Sequence, residues 1–198
     1  MTLSIKPIRL SGPWTEGWAL DQHTISSVYL GDNEFGHAQY ENKRSEVGER
    51  LYQFKYRGNR SGLRALAETA AAFIRAKNMF VEIVVSVPPS NENRRHQPLP
   101  AISQEIAHIL KLPYQTDALA KVSSTKELKQ VFDLVQRRRL LTGVFHADRQ
   151  YVQGRGMLLL DDLYRSGATL STATAELLEN GRAKSVTAIT LTKTRSSR

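Results

Sequence analysis

Two adjacent acids and the turn that follows them are the part of this sequence whose residue types best suit binding chemistry. Asp161 and Asp162 come directly after the apolar run 157–160, and the turn Arg165–Thr169 then leads into a segment with helical spacing. The start of a helix presents backbone N–H groups without intrahelical partners at the positive end of the helix dipole, so it can bind a phosphate. The order of strand, acids, turn and helix therefore predicts a phosphorylated ligand.

The side chains of the turn suit a phosphate that comes close to the backbone. Gly167 and Ala168 leave room for it, and the hydroxyls of Ser166 and Thr169 can donate hydrogen bonds to its oxygens. Either hydroxyl could instead cap the following helix.

The two acids would repel a phosphate, so they must face another part of the ligand. An ionised carboxylate only accepts hydrogen bonds, which matches the donors of a sugar diol. Asp161 and Asp162 would then hold the ribose of a ribose 5-phosphate, and their charge would stabilise an oxocarbenium-like transition state. The competing interpretation is a solvated acidic turn at the end of a strand.

Two other nucleotide-binding patterns are excluded. An acidic strand of a nucleoside triphosphatase requires a G-x-x-x-x-G-K-[ST] loop, and the chain contains no Gly-Lys pair. A Rossmann dinucleotide site requires G-x-G-x-x-G after a strand, which is also missing.

Strand-like and helix-like segments alternate along most of the chain. This order predicts an open α/β sheet that is mostly parallel, with helices on both faces and ligands at the carboxyl ends of the strands. The first predicted segments are a helix over Ser61–Ala76, a strand over Val81–Val87 and a loop over Pro88–Pro100. Two helices follow, one marked by Ile102, Ile106, Ile109 and Leu110 and the other by Leu128, Val131, Phe132 and Val135. The last segments are a strand over Met157–Leu160 that ends at the acids, a helix marked by Leu170, Ala173, Leu177 and Leu178 and closed by Gly181, and a strand from Ser185.

The length of 198 residues suits one well-filled core. We expect residues 1–48, with short β-like pieces such as Ile25–Leu30, to form an N-terminal β-rich flap or hood of the same domain. Residues 49–198 would form the main domain.

Composition limits the classes of function further. The chain contains no Cys, which excludes disulfides, thiolate nucleophiles and Cys-based zinc sites. No apolar run approaches the length of a membrane helix and the first residues lack a secretory core, so we expect a cytoplasmic protein. The net charge of +9 favours polyanionic partners, either phosphorylated small molecules or nucleic acid.

The segment Met157–Thr169 resembles the phosphoribosyl pyrophosphate signature of type I phosphoribosyltransferases. The order of the other segments is similar to the ComF competence-associated branch of that superfamily. Phe54–Ala71 resembles its Lys-Tyr-x-Gly approach to the first helix, Ser86–Pro89 its pyrophosphate-loop strand, and 143–162 its Gly-Ala-Phe approach to the signature. The resemblance covers about residues 50–193.

This resemblance implies a Mg²⁺-dependent phosphoribosyltransferase of nucleotide metabolism, with an acceptor that the sequence does not identify. The two acids would hold the ribose hydroxyls, and the backbone of Arg165–Thr169 would hold the 5′-phosphate. Ser86, Arg94 and Arg95 would face the pyrophosphate. Mg²⁺ would arrive with phosphoribosyl pyrophosphate and bridge its pyrophosphate and ribose oxygens, with no direct protein ligand required and Asp161 and Asp162 as candidate carboxylates.

The chain also departs from the family pattern. Tyr164 and Arg165 are bulkier than the usual residues of the phosphate loop, and Arg95–Pro98 replaces an expected Arg-Gly-Phe-Asn-Gln stretch. The zinc ribbon of the ComF branch is missing because the chain has no cysteines.

A second hypothesis is a binding module that keeps the phosphoribosyl pyrophosphate site as a sensor and binds nucleic acid through its basic surface, with a role related to DNA uptake. A homodimer is compatible with both hypotheses. The remaining notable side chains are interpreted as solvated or helix-end groups (His96, His146, Lys55, Tyr56 and Arg137–Arg139) or as packing groups (Trp14 and Trp18).

Overall fold

A five-stranded sheet forms the centre of the protein in the computed structural model, which describes residues 1–89, 97–122 and 144–195. The strands are β1 (Ile8–Arg9), β2 (Glu16–Gln22), β3 (Thr24–Asp32), β4 (Ala38–Arg44), β5 (Ile83–Ser86), β6 (Leu119–Lys121), β7 (Phe145–Ala147), β8 (Gly156–Tyr164) and β9 (Ser185–Lys193). The described helices are α1 (Glu46–Arg57), α2 (Leu63–Ala76), α3 (Pro98–Leu110), α4 (Arg149–Val152) and α5 (Ala168–Glu179).

The order of the central sheet is β1-β2-β9-β8-β5. The pairs β2–β9, β9–β8 and β8–β5 are parallel, and only the short edge strand β1 runs antiparallel to its neighbour. Two small antiparallel pairs, β3–β4 and β6–β7, lie outside this sheet. The predicted mostly parallel α/β fold is confirmed.

Helices cover both faces of the sheet because alternate residues of β8 are buried on opposite sides. Met157 and Leu159 belong to a core layer that includes α5, whereas Leu158 and Leu160 belong to a second layer with α1, α2 and α3. A strand that is buried on both faces has the continuous apolar run seen in the sequence. Among the described helices, none is long and apolar enough to cross a membrane.

Most predicted elements are present, with shifted ends. The second predicted helix begins at Pro98 rather than after Pro100, because proline is tolerated in the first helical turn. The predicted strand over Val81–Val87 pairs only over its central part, and the left-handed residue after α5 is Arg182, at φ 57°, rather than Gly181. The helix predicted around Leu128–Val135 lies outside the described residues.

Helix α1 was missed by the sequence interpretation, although its signals are present. The Ser45 side chain accepts a hydrogen bond from the N–H of Gly48 and caps its start, and Gly58, at φ 67°, ends it. Val47, Leu51 and Phe54 have helical spacing and are buried in the core.

Residues 1–48 contribute both to the central sheet and to a separate hairpin. β2 is a strand of the central sheet, in parallel register with β9 from Glu16 opposite Thr187 to Gln22 opposite Lys193. The physical reason is that residues 186–192 of β9 are buried, so their backbone groups require a neighbouring strand on the side away from β8. Only the hairpin β3–β4 leaves the sheet, and the domain boundary at residue 49 stays a prediction.

Trp14 fixes the N-terminal segment to the sheet. Its Nε1–H donates to the carbonyl of Leu10 at 3.0 Å, and its ring meets the Tyr164 ring edge to face, with centroids 6.4 Å apart. A Cβ atom on Gly17 would lie 2.0 Å from Nε1, so the indole fills the space that this glycine leaves. Trp14 is a packing residue, as predicted, and Trp18 packs against Phe73.

We predict that Trp14→Ala lowers the free energy of unfolding by about 3–5 kcal/mol, because it opens a cavity beside Tyr164. The matched variant Trp18→Ala removes the same side chain from a half-buried position and is expected to cost clearly less. Urea unfolding of both variants measures the difference. Equal losses would contradict the anchoring role of Trp14.

Candidate functional site

The strand that carries the two acids extends beyond them. We expected it to end at the acids, but β8 stays paired with β9 as far as Tyr164, which lies opposite Lys193. Asp161 lies opposite Thr190 within this ladder. The strand continues because β9 runs alongside it and pairs with Asp161 and Leu163. The backbone groups of Asp162 bond instead to the side chains of Asp161 and Thr192.

Alternation along β8 directs the two carboxyl groups to different faces of the sheet. Asp161 follows the face of Leu159, on the side of α5, and Asp162 follows the face of Leu160, on the side of α1. Near the end of the strand both acids still line one cleft of about 200 Å³. The lining residues of this cleft are Lys55, Val87, Pro88, Pro89, Gln97, Pro98, Leu99, Pro100, Asp161, Asp162, Leu163 and Thr169.

Lys55 is the cation among the described residues that line this cleft. Its Nζ lies 2.5 Å from Oδ2 of Asp162, and both side chains are largely withdrawn from solvent. Lys55 is in the last turn of α1, and the two partners are 107 residues apart in the chain. The sequence interpretation treated Lys55 as a helix-end group, and no local pattern indicates its partner.

The electrostatic environment of Asp161 favours its protonated form. Burial, and then the negative charge of Asp162, raise the pKa of Asp161 from 3.8 to about 7. The N–H of Asp162 donates to Oδ1 of Asp161 at 2.8 Å, and this bond, with the charge of Lys55, acts in the opposite direction. A ligand that supplies hydrogen-bond donors or positive charge would therefore draw Asp161 into its ionised form.

The turn after β8 depends on a glycine. Gly167 has φ 77°, and a Cβ atom there would lie 2.5 Å from the hydroxyl oxygen of Tyr164. Gly167 is the N-cap of α5 and supplies no side chain, and Ser166 Oγ accepts only a long bond of 3.5 Å from the N–H of Ala168. Neither Ser166 nor Thr169 caps the helix firmly, so its first N–H groups stay available.

The turn encloses a second, smaller depression that continues the cleft. It measures about 70 Å³ and is lined by Asp161 and Leu163–Leu170. Asp161, Leu163 and Thr169 line both the depression and the cleft. The acids and the free helix start are thus parts of one continuous surface.

His23 is a further residue of the site that the sequence interpretation did not name. Its Nδ1 lies 3.2 Å from Oγ1 of Thr192, and this hydroxyl donates its proton to the carbonyl of Asp162 at 3.1 Å. The hydroxyl therefore accepts from His23, which places the imidazole proton on Nδ1. Burial, and then the charges of Arg44 and Lys55, lower the pKa of His23, so the ring is neutral.

Other predicted site residues have different positions. The hydroxyl of Ser86 is 2.8 Å from that of Tyr114, and Ser86 does not line the cleft. Arg94, Arg95 and His96 lie outside the described residues, as do Arg137–Arg139. His146 is exposed on β7. Within the described ranges, no group of three or more His, Cys, Asp or Glu side chains could hold a metal ion.

Comparison with known proteins gives one significant curated relative. No family model matches the chain. The chain is similar to the competence protein ComFC of Bacillus subtilis, with 29% identity over 145 residues, which is 72% of this chain and 58% of that protein. The chain therefore spans well under two thirds of its relative, and the ComF-like resemblance predicted from the sequence is confirmed.

Several solved structures show a similar arrangement at low sequence identity. Glutamine phosphoribosylpyrophosphate amidotransferase of B. subtilis matches with a TM-score of 0.47 and 17% identity, covering 80% of this chain and 34% of that one. A hypoxanthine phosphoribosyltransferase of Staphylococcus aureus matches with a TM-score of 0.42 and 11% identity, covering 71% and 70%. Since these TM-scores are below 0.5, the fold is assigned from the strand order of the chain itself.

We predict that Asp161→Asn stabilises the protein above pH of about 7. The folded-state pKa of Asp161 is raised, so the stability linked to its proton is complete below the unfolded value of 3.8 and is lost as the pH rises through about 7. The variant lacks this loss, so its melting temperature relative to that of the wild type should rise as the pH increases from 3.8 to about 7 and should not rise further above that. Asp162→Asn, which removes the partner of Lys55, should show no such gain.

Proposed function

We propose that this protein binds phosphoribosyl pyrophosphate at the connection between β8 and α5 and, with Mg²⁺, transfers its 5-phosphoribosyl group to an acceptor. The observation that carries the proposal is the continuous surface that joins the two acids to an uncapped helix start. A ribose 5-phosphate needs acceptors for its diol and donors for its phosphate a few ångströms apart. This surface supplies both.

The 5′-phosphate would occupy the smaller depression. The first N–H groups of α5 would donate to its oxygens, and the dipole of a helix of 12 residues favours the negative charge. Ser166 would add a hydroxyl donor, since its present bond to Ala168 is long and easily exchanged. Arg165 is exposed beside the turn and would contribute a cation. Gly167 would hold the turn in the left-handed conformation that directs these N–H groups toward the phosphate.

The ribose diol would face Asp161 and Asp162. The hydroxyls would donate to the carboxylates, and this bonding would favour the ionised form of Asp161 that burial now opposes. Lys55 would remain beside Asp162 as the cation that lets two carboxylates share one cleft. Their negative charge would stabilise positive charge that develops on the sugar as the bond to pyrophosphate breaks.

The donor set of the cleft fits Mg²⁺ that arrives with its ligand. Mg²⁺ in proteins is commonly held by one or two carboxylates together with substrate phosphates and water, and the cleft offers Asp161 and Asp162. When bound, the ion would neutralise charge on the departing pyrophosphate.

The pyrophosphate would lie toward the other wall of the cleft. Pro89 and Gln97 both line this wall, and they flank the segment that contains Arg94 and Arg95. This placement supports the proposal that these arginines face the leaving group. Ser86 would support the wall through Tyr114 instead of contacting the ligand.

We predict that Asp161→Asn and Asp162→Asn each lower pyrophosphate release from phosphoribosyl pyrophosphate and Mg²⁺ by about a hundredfold, a typical loss when one charged group that stabilises a transition state is removed. Release is measured with a panel of acceptors. Asp148→Asn is the matched control, because Asp148 caps α4, outside the residues of the cleft.

Equal release by the wild type and both acid variants would remove the catalytic claim. Calorimetry with phosphoribosyl pyrophosphate then distinguishes a binding module without catalysis from a protein that lacks the proposed site. Binding without turnover would identify a sensor module, and the absence of binding would overturn the proposed site.

We predict that Gly167→Ala weakens phosphoribosyl pyrophosphate binding at least tenfold in calorimetry, because the added Cβ collides with Tyr164 and displaces the turn. Gly154→Ala is the matched control. Gly154 has a similar φ of 73° and open space around its Cβ position, so it bears the same backbone cost of about 1–2 kcal/mol without a collision. If both variants bind equally well, the turn does not hold the phosphate.

A further inference from the structure

The hairpin β3–β4 carries an unusual concentration of exposed apolar side chains. It forms a separate two-stranded sheet that has no ladder to the central sheet. Scattered exposed apolar residues are normal, but a contiguous group of them marks an interaction surface. The exposed apolar residues of the hairpin are Ile25, Val28, Tyr29, Leu30, Phe35 and Tyr40.

A hairpin of this kind needs a further partner for its stability. Two strands alone are marginally stable in water, and a third strand or a covering element is normally required. The rings of Tyr29 and Tyr40 form a cross-strand pair with centroids 5.6 Å apart, yet each residue stays more than half exposed. The described part of the chain therefore leaves this sheet uncovered.

The two edges of the hairpin differ. β4 carries Glu41, Lys43 and Arg44, which are the charged residues that proteins place on strands to prevent edge pairing. From Thr24 to Gly31, β3 has no charged residue and no proline, and between its two register shifts it pairs regularly with β4 over Ser26–Tyr29. β3 is therefore the edge that can accept another strand.

Charge indicates which partner fits this edge. The hairpin, residues 24–44, contains two cations and three carboxylates, although the whole chain has a net charge of +9. A polyanion would bind elsewhere, whereas two copies of this basic protein would repel least here. The two ends of β3 also carry opposite charges. Arg195 donates to the carbonyl of Ile25 at one end, and Asp32 lies at the other.

We propose that β3 pairs with β3 of a second copy, antiparallel about a two-fold axis near Val28, to form a four-stranded sheet β4-β3-β3-β4. This pairing brings Asp32 of each copy to the end of the partner strand that carries Arg195. A two-fold axis makes the contact self-complementary and closed, so it yields a dimer and no larger assembly. The inference is independent of the ligand site.

The absence of cysteine makes a direct test possible. Val28→Cys places the thiols of two copies within about 6 Å of each other, since residues on the axis of an antiparallel pair are directly opposite. Gln39→Cys is the matched control on β4, because the β4 strands would be three strand spacings apart, roughly 14 Å or more. A short bismaleimide should join the Val28→Cys chains and leave the Gln39→Cys chains single.

Sedimentation of the unmodified protein provides the second measurement. We expect a dimer at micromolar concentration, and Val28→Lys, which opposes like charges on the axis, should weaken dimerisation at least tenfold while the far-ultraviolet circular dichroism stays unchanged. A monomer at all concentrations would overturn the proposal. So would cross-linking that is equal at both positions, a dimer unaffected by Val28→Lys, or assemblies larger than two.

Discussion

Two adjacent carboxylates near the end of a buried strand are the feature that the surrounding elements of this structure have to accommodate. Burial and mutual repulsion disfavour the ionised pair, as the raised pKa of Asp161 indicates. The protein compensates with Lys55, which α1 brings to Asp162. This arrangement costs stability at neutral pH and retains two acceptors in a cleft, which is a pattern typical of a binding site.

The turn that follows the acids is connected to the core by packing. Tyr164 lies against Gly167, where any other residue would place a Cβ atom, and Tyr164 in turn packs against Trp14 of the N-terminal segment. The position of the helix start therefore depends on a contact between residues 150 positions apart in the chain. The bulky Tyr164, a departure from the family pattern, has a structural role in this contact.

The ligand cleft and the β3–β4 hairpin are separate surfaces with different chemistry. The cleft is lined by residues of three helices and two strand ends, and a phosphorylated sugar is its proposed ligand. The hairpin is apolar, almost neutral and open along β3, and it suits a second protein chain. Both surfaces lie at the carboxyl edge of the central sheet. The hairpin follows β2 and the cleft contains the end of β8, and these two strands end opposite the same residue, Lys193. A dimer would therefore place two clefts on one assembly.

Local periodicity and one contiguous motif were enough to predict several parts of this structure. The buried strand before the acids, the glycine of the turn, the helix over Leu63–Ala76 and the mostly parallel sheet were all predictable in this way. Three contacts could not be predicted and are visible only in the folded chain: Lys55 faces Asp162, Ser86 faces Tyr114, and β2 lies beside β9. Each of these depends on residues far apart in the chain, whose proximity arises from packing both faces of one sheet and leaves no periodic trace in the sequence.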